Sequence, residues 1–194
     1  MRGANLYAVF STRGVVTLPA LGTTIASTVV DEVNAIDDVV VDATNLYWNR
    51  RGTAVFGRAH ADGTNAAKNF TTRAAGLTSI TALAFDADYI YWSTADGEVS
   101  RAAKADASPP QLVTRILGPL LSVHGFAVDE AYVYVAMSAS ILVGNDVFDL
   151  YRASKCGGPP RLLASDRIAI AGGILSAGAY LYWGHESSVA RIAK

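Results

Sequence analysis

A short apolar string built around a tyrosine returns five times along the chain: Leu6-Tyr7, Leu46-Tyr47-Trp48, Ile90-Tyr91-Trp92, Val133-Tyr134-Val135 and Leu181-Tyr182-Trp183. Successive tyrosines lie 40, 44, 43 and 48 residues apart. A period in the low forties is the mark of a stacked or radial array, in which each repeat buries itself against its neighbours. Side chains alternate faces along a strand, so an unbroken Leu46-Tyr47-Trp48 demands packing on both faces of its sheet. A helical solenoid is the main competitor at this period. It loses because the units are rich in β-branched and aromatic residues, are cut by turn signals and show no 3.6-residue apolar stripe.

Other positions keep the same register. Asp42, Asp86 and Asp129 each precede their tyrosine by five residues, and Arg58, Arg101, Arg152 and Arg191 follow theirs. The third repeat parses into four strands: Ile80 to Phe85, Tyr89 to Ser93, Glu98 to Ala102 and Gln111 to Thr114. Asp86-Ala87-Asp88 supplies a turn whose carboxylates bond their own backbone, and Asp96-Gly97 is the signal for a type I′ hairpin. The fourth repeat breaks the rhythm with an insertion from Met137 to Phe148. The expected fold is all-β, a β-propeller of about five four-stranded blades in one partial domain over 1–194, with blades near 1–30, 31–74, 75–117, 118–165 and 166–194. The first blade lacks its first strand and the last its fourth. Five-blade closure, a longer parent protein and a mate supplying strands all remain open, and a truncated propeller is preferred. Unpaired blade edges invite self-association.

Composition excludes several classes. Sixteen Lys and Arg against 17 Asp and Glu give a formal charge of −1, which offers no footprint for nucleic acid. A hydrophobic fraction of 51% with 17% charged residues fits strands covered on both faces. The uncharged stretch from Ile168 to Gly184 is broken by four glycines and falls short of a spanning helix, so no membrane insertion is expected. No apolar targeting segment follows Met1, and the single Cys156 excludes an internal disulfide framework.

Val41-Asp42-Ala43-Thr44-Asn45-Leu46-Tyr47-Trp48, echoed by Phe85-Asp86-Ala87-Asp88-Tyr89-Ile90-Tyr91-Trp92, resembles the repeat of β-propellers of the YWTD and NHL kind, especially those of bacterial extracellular or envelope proteins. Gly157-Gly158-Pro159-Pro160-Arg161-Leu162-Leu163-Ala164-Ser165 is similar to the closing part of such a unit. The resemblance implies an extracytoplasmic location, secreted, periplasmic or on the cell surface. It transfers no ligand, because no unit carries the Thr-Asp that completes a YWTD motif.

Candidate sites follow from what the repeat leaves over. Asp42, Asp86 and Asp129 are a candidate cation set, calcium-like in chemistry, although an Asp at a hairpin start is ordinarily a turn former. The four arginines would suit an anion if they formed a ring; pairing across neighbouring blades is the ordinary explanation and the preferred one. His60, His124 and His185 fall at different repeat positions, which argues against a shared metal, and Ser176 lacks the glycine spacing of a nucleophile elbow. Trp48, Trp92 and Trp183 read as core rather than sugar platforms. The insertion holds Asn145, Asp146 and Phe148, a polar tip with an aromatic anchor, and irregular extensions of a repeat map to a loop that often binds. The preferred reading is a non-catalytic module, without cofactor, that presents loops to a protein or carbohydrate partner. The alternative is a metal-dependent propeller hydrolase or lactonase resembling the gluconolactonase-like group, with a divalent cation in its channel.

Overall fold

The chain is described by a computed structural model over residues 5–10, 14–19, 27–31, 36–50, 55–72, 80–105, 109–117, 121–139, 147–166, 171–185 and 188–194. These residues form eighteen strands in five antiparallel sheets, and the chain divides into two compact units, Met1–Ile80 and Thr81–Lys194. The strand tally of three, four, four, four and three per sheet agrees with the parsing of the repeats.

In the first unit β1 (Asn5–Phe10), β2 (Gly14–Pro19) and β3 (Ser27–Val30) form one sheet, each strand pairing with the next. β4 (Ile36–Val41), β5 (Asn45–Arg50), β6 (Val55–His60) and β7 (Ala67–Thr72) form the second in the same up-and-down order. Val15 and Val30 of the one pack with Ile36, Leu46, Trp48 and Ala59 of the other. The Tyr7 hydroxyl donates to the Ala61 carbonyl at 2.9 Å and ties the two sheets at their rim. Trp48 stands directly across from Gly57, where an added Cβ would fall 2.2 Å from the indole. Glycine is thus the only residue that clears the ring.

The second unit holds β8 (Ile80–Phe85), β9 (Tyr89–Thr94), β10 (Glu98–Ala103) and β11 (Gln111–Arg115); then β12 (Leu121–Val128), β13 (Tyr132–Ala139), β14 (Val147–Ser154) and β15 (Arg161–Asp166); then β16 (Ala171–Ala177), β17 (Tyr180–His185) and β18 (Ser188–Ala193). Two-sided burial is visible at β13. Val133, Val135 and Met137 turn to one face and pack with Tyr91, Val99, Val113 and Ile116 of the β8–β11 sheet. Tyr134 and Ala136 turn to the other and pack with Leu181 and the partly buried Ile174, Trp183 and Ile192 of the β16–β18 sheet. Consecutive apolar residues therefore serve different interfaces, which is why the repeat shows no polar alternation.

Two details differ from the expectation. Gly97 has φ 77°, but Asp96 stays out of the positive-φ region, and the Gly97 amide donates to the Thr94 carbonyl at 3.0 Å. That is a three-residue connection with glycine at the left-handed position rather than a type I′ turn. The Asp96 carboxylate accepts from the Thr94 hydroxyl, which holds the aspartate where it is. The insertion, in turn, lengthens strands: β13 and β14 run eight residues each against six for β9 and β10, with Ser138 opposite Phe148 and Ala139 opposite Val147.

Candidate functional site

The conserved geometry of the repeat begins at its aspartate. One carboxylate oxygen of Asp86 accepts from the amides of Asp88 and Tyr89 at 2.9 and 2.8 Å, and the other accepts from the Tyr91 hydroxyl at 2.8 Å. Asp129 repeats this with Ala131, Tyr132 and Tyr134 at 3.0, 2.9 and 2.8 Å. Asp42 makes the turn half of the arrangement, accepting from the amides of Thr44 and Asn45 at 2.9 and 2.8 Å. A lysine from the following sheet completes it: Lys155 pairs with Asp86, and Lys194 pairs with Asp129 at 2.9 Å. Burial alone would raise both carboxyls, but the lysine, the tyrosine hydroxyl and the turn amides outweigh it and hold them below the usual carboxylate range. Burial, reinforced by the bond to the aspartate, pushes the Tyr91 and Tyr134 phenols up.

Asp86 and Asp129 are thus spent on turns and on bonds between sheets. Among the described residues no three His, Cys, Asp or Glu side chains come together as a metal cluster. The arginines likewise have a local role. Arg101, Arg152 and Arg191 lie 4.4, 4.5 and 4.7 Å over the rings of Tyr89, Tyr132 and Tyr180, each on its own sheet. Trp48 and Trp92 are fully buried. Phe148 is a paired strand residue, 8% exposed, with its ring edge on His124 at 4.9 Å. Asn145 and Asp146 lie outside the described residues.

What the sequence reading missed is a cleft of about 650 Å³ in the second unit, where the β12–β15 sheet meets the β16–β18 sheet. Its walls include Asp129, Glu130, Tyr132 and Arg152 on one side and Ser176, Gly178 and Lys194 on the other. It exists because the last repeat departs from the pattern. Ser176 pairs with Leu181 as Val128 pairs with Val133, so a serine stands where the previous sheet carries valine. Two positions on, Glu130 in that sheet is Gly178 here. Smaller side chains leave the space open, and the hydroxyl of the wall residue Ser176 is buried without a hydrogen bond among the described residues. The lysines were legible in principle: Arg101-Lys104, Arg152-Lys155 and Arg191-Lys194 share one spacing.

No protein-family model matches the chain, and no curated protein matches it by sequence. Its likeness is to solved structures. The extracellular domain of the putative one component system BT4673 from B. thetaiotaomicron superposes with a TM-score of 0.72 at 12% identity, over 98% of this chain and 26% of that one. YCF48, solved bound to D1 peptide, gives 0.66 at 10%, over 95% and 59%. The computationally designed Ika8 protein gives 0.62 at 11%, over 100% and 57%. The chain therefore spans a quarter to three fifths of these neighbours. At such identities the likeness shows a propeller-like all-β fold, and that alone.

Proposed function

We propose that a propeller-like scaffold of this kind serves here as a non-catalytic binding module that takes an extended protein segment in the cleft beside Tyr132, Arg152 and Ser176. The sheets act as blades of YWTD- or NHL-like type, and the module works outside the cytoplasm. The carrying observation is the cleft itself. It is the place where the repeat gives up its filling side chains, and it combines an aromatic wall, a guanidinium and a buried hydroxyl with no bond of its own. A few well-placed polar groups in a concave, partly apolar wall are what ligand recognition needs. A protein partner is supported further by YCF48, a neighbour solved with a peptide bound. The metal-dependent hydrolase reading draws no support from Asp86 and Asp129, whose oxygens are already taken.

The test is Ser176→Val, which restores the residue type of the preceding repeat and closes the cleft without touching the lysine bridges. Peptides selected from a displayed library on the wild-type chain should bind this variant roughly tenfold more weakly, the loss of one buried contact and its space. Equal affinity for both would overturn the cleft as the binding site.

A further inference from the structure

The outer part of the β12–β15 sheet carries an arrangement the repeat does not explain. Arg152 on β14 lies directly opposite Arg161 on β15. Opposed residues of an antiparallel pair share a face with Cβ atoms about 5 Å apart, and like charges so placed repel. The preceding sheet solves the same position differently. There Arg101 faces Gln111, and its Nε donates to the glutamine Oε1 at 3.2 Å. The other outer-strand arginine of that sheet, Arg115, is matched to Glu98 at 2.8 Å. Lys155 and Lys194 are matched to Asp86 and Asp129. Arg152, in contrast, has only the Tyr132 ring beneath it, and neither it nor Arg161 is paired with a carboxylate among the described residues.

The chain therefore sets two arginines opposite each other on one face of this sheet beside the cleft, and a like-charged pair of this kind is relieved by an anion. Arg152 lines the cleft and Arg161 flanks it on the neighbouring strand. Counting the side chains gathered there, Arg152, Arg161 and Lys194 stand against Asp129 and Glu130. One positive charge is left unmatched, which suits a single carboxylate and disfavours a phosphate dianion placed beside two acids. Ser176 lines the opposite wall, and its buried hydroxyl has no hydrogen bond among the described residues.

We infer that the cleft recognises an acidic protein segment, with Arg152 and Arg161 gripping one carboxylate side chain and the small Ser176 leaving room for the segment on the opposite wall. The inference rests on the reading of the cleft as a peptide site and names the chemistry of its occupant. Arg161 is the specificity residue: its replacement by glutamine recreates the Arg101–Gln111 pairing, which the fold already tolerates one sheet away.

The experiment measures fluorescence anisotropy of labelled hexaglutamate and hexaglutamine peptides on the wild-type chain and on Arg161→Gln, with inorganic phosphate as competitor. Hexaglutamate should bind the wild-type chain roughly tenfold more tightly than hexaglutamine, and Arg161→Gln should erase that preference. The preference should also vanish near 1 M salt, where the screening length is about 3 Å. In thermal melts at low salt Arg161→Gln should start higher than wild type, because a repulsive pair is gone, and should gain nothing from hexaglutamate. Equal binding of the two peptides, an unchanged preference in Arg161→Gln, or displacement by phosphate at concentrations that match the peptide would each overturn the inference. If hexaglutamine binds as well as hexaglutamate while Ser176→Val weakens both, the cleft stands as a peptide site and only acid recognition fails. If neither peptide binds, acid recognition fails, and the selected library peptides judge the cleft separately.

Discussion

Gly125 sits on β12 at a register shift against β13, with its Cα turned toward β16. A Cβ built there would lie 2.5 Å from Cγ1 of Ile174, 3.0 Å from its backbone nitrogen and 3.2 Å from the Gly173 carbonyl carbon. Ordinary contact between such atoms is about 3.5–4.0 Å, so the methyl group of Gly125→Ala is close to 1 Å too near on the side-chain path. Two effects of opposite sign compete. Alanine restricts the unfolded chain and on that account stabilises by about 0.4–1 kcal/mol. Overpacking between sheets costs about 1–3 kcal/mol, because backbone atoms on the far side have no rotamer by which to yield. The second effect wins, and a net loss of about 1–2 kcal/mol is expected. Urea unfolding followed by tryptophan fluorescence reads this well, since Trp183 packs in the affected interface. With a slope near 2 kcal/mol/M the midpoint should fall by about 0.5–1 M. Ile174→Ala removes the 2.5 Å contact and leaves the backbone one, so Gly125→Ala should cost less in that background without becoming neutral. A variant as stable as wild type, or an undiminished cost beside Ala at 174, would refute close sheet approach as the reason for glycine.

Two pH effects follow from the paired groups. Asp129 has a lowered pKa when folded, so its contribution is present above the ordinary carboxylate range and is lost as pH falls through the folded value. Asp129→Asn keeps the turn acceptor but abolishes the bridge to Lys194; it should cost about 1 kcal/mol or less at neutral pH and flatten the acid limb of a stability profile, whereas an unchanged acid limb would count against the bridge. Tyr47 is pushed up to about 12, first by burial and then by the Asp42 charge. Its raised folded value means the unfolded chain loses the proton first, so stability should decline as pH climbs from about 10 toward 12, and Tyr47→Phe should remove that part of the decline in alkaline melts.

The repeat spacing carried most of the architecture, because strands buried on both faces leave a dense apolar string that few other folds tolerate. Tyr134 and Val135 packing onto different sheets is that inference made concrete. The aspartates read correctly as turn formers, since an Asx turn is local and needs only a carboxylate and the next amides. The shared Arg-x-x-Lys spacing marks the lysines, but their partners were not legible, because each lysine reaches an aspartate of another sheet and register alone does not say how far it reaches. The Met137 to Phe148 break reads either as an inserted loop or as a longer hairpin, and its ends are paired strand. A pleated hairpin grows in pairs, and Phe148 finds cover on His124. The cleft escaped because it is written in omissions. Serine and glycine at 176 and 178 announce nothing until Val128 and Glu130 are set beside them.

The lysine bridge has a bearing on how a chain like this can lengthen. The β12–β15 sheet holds out an aspartate in one direction and a lysine in the other, Asp129 toward Lys194 and Lys155 toward Asp86. The two sheet junctions of the second unit therefore use the same two half-fittings. Duplication of a whole repeat creates a junction already provided for. A change inside one repeat disturbs the joints on both of its flanks. Such a chain gains or sheds entire units more easily than it revises one, and novelty then gathers where a single unit has dropped one of its fittings, as the last one has at Ala177.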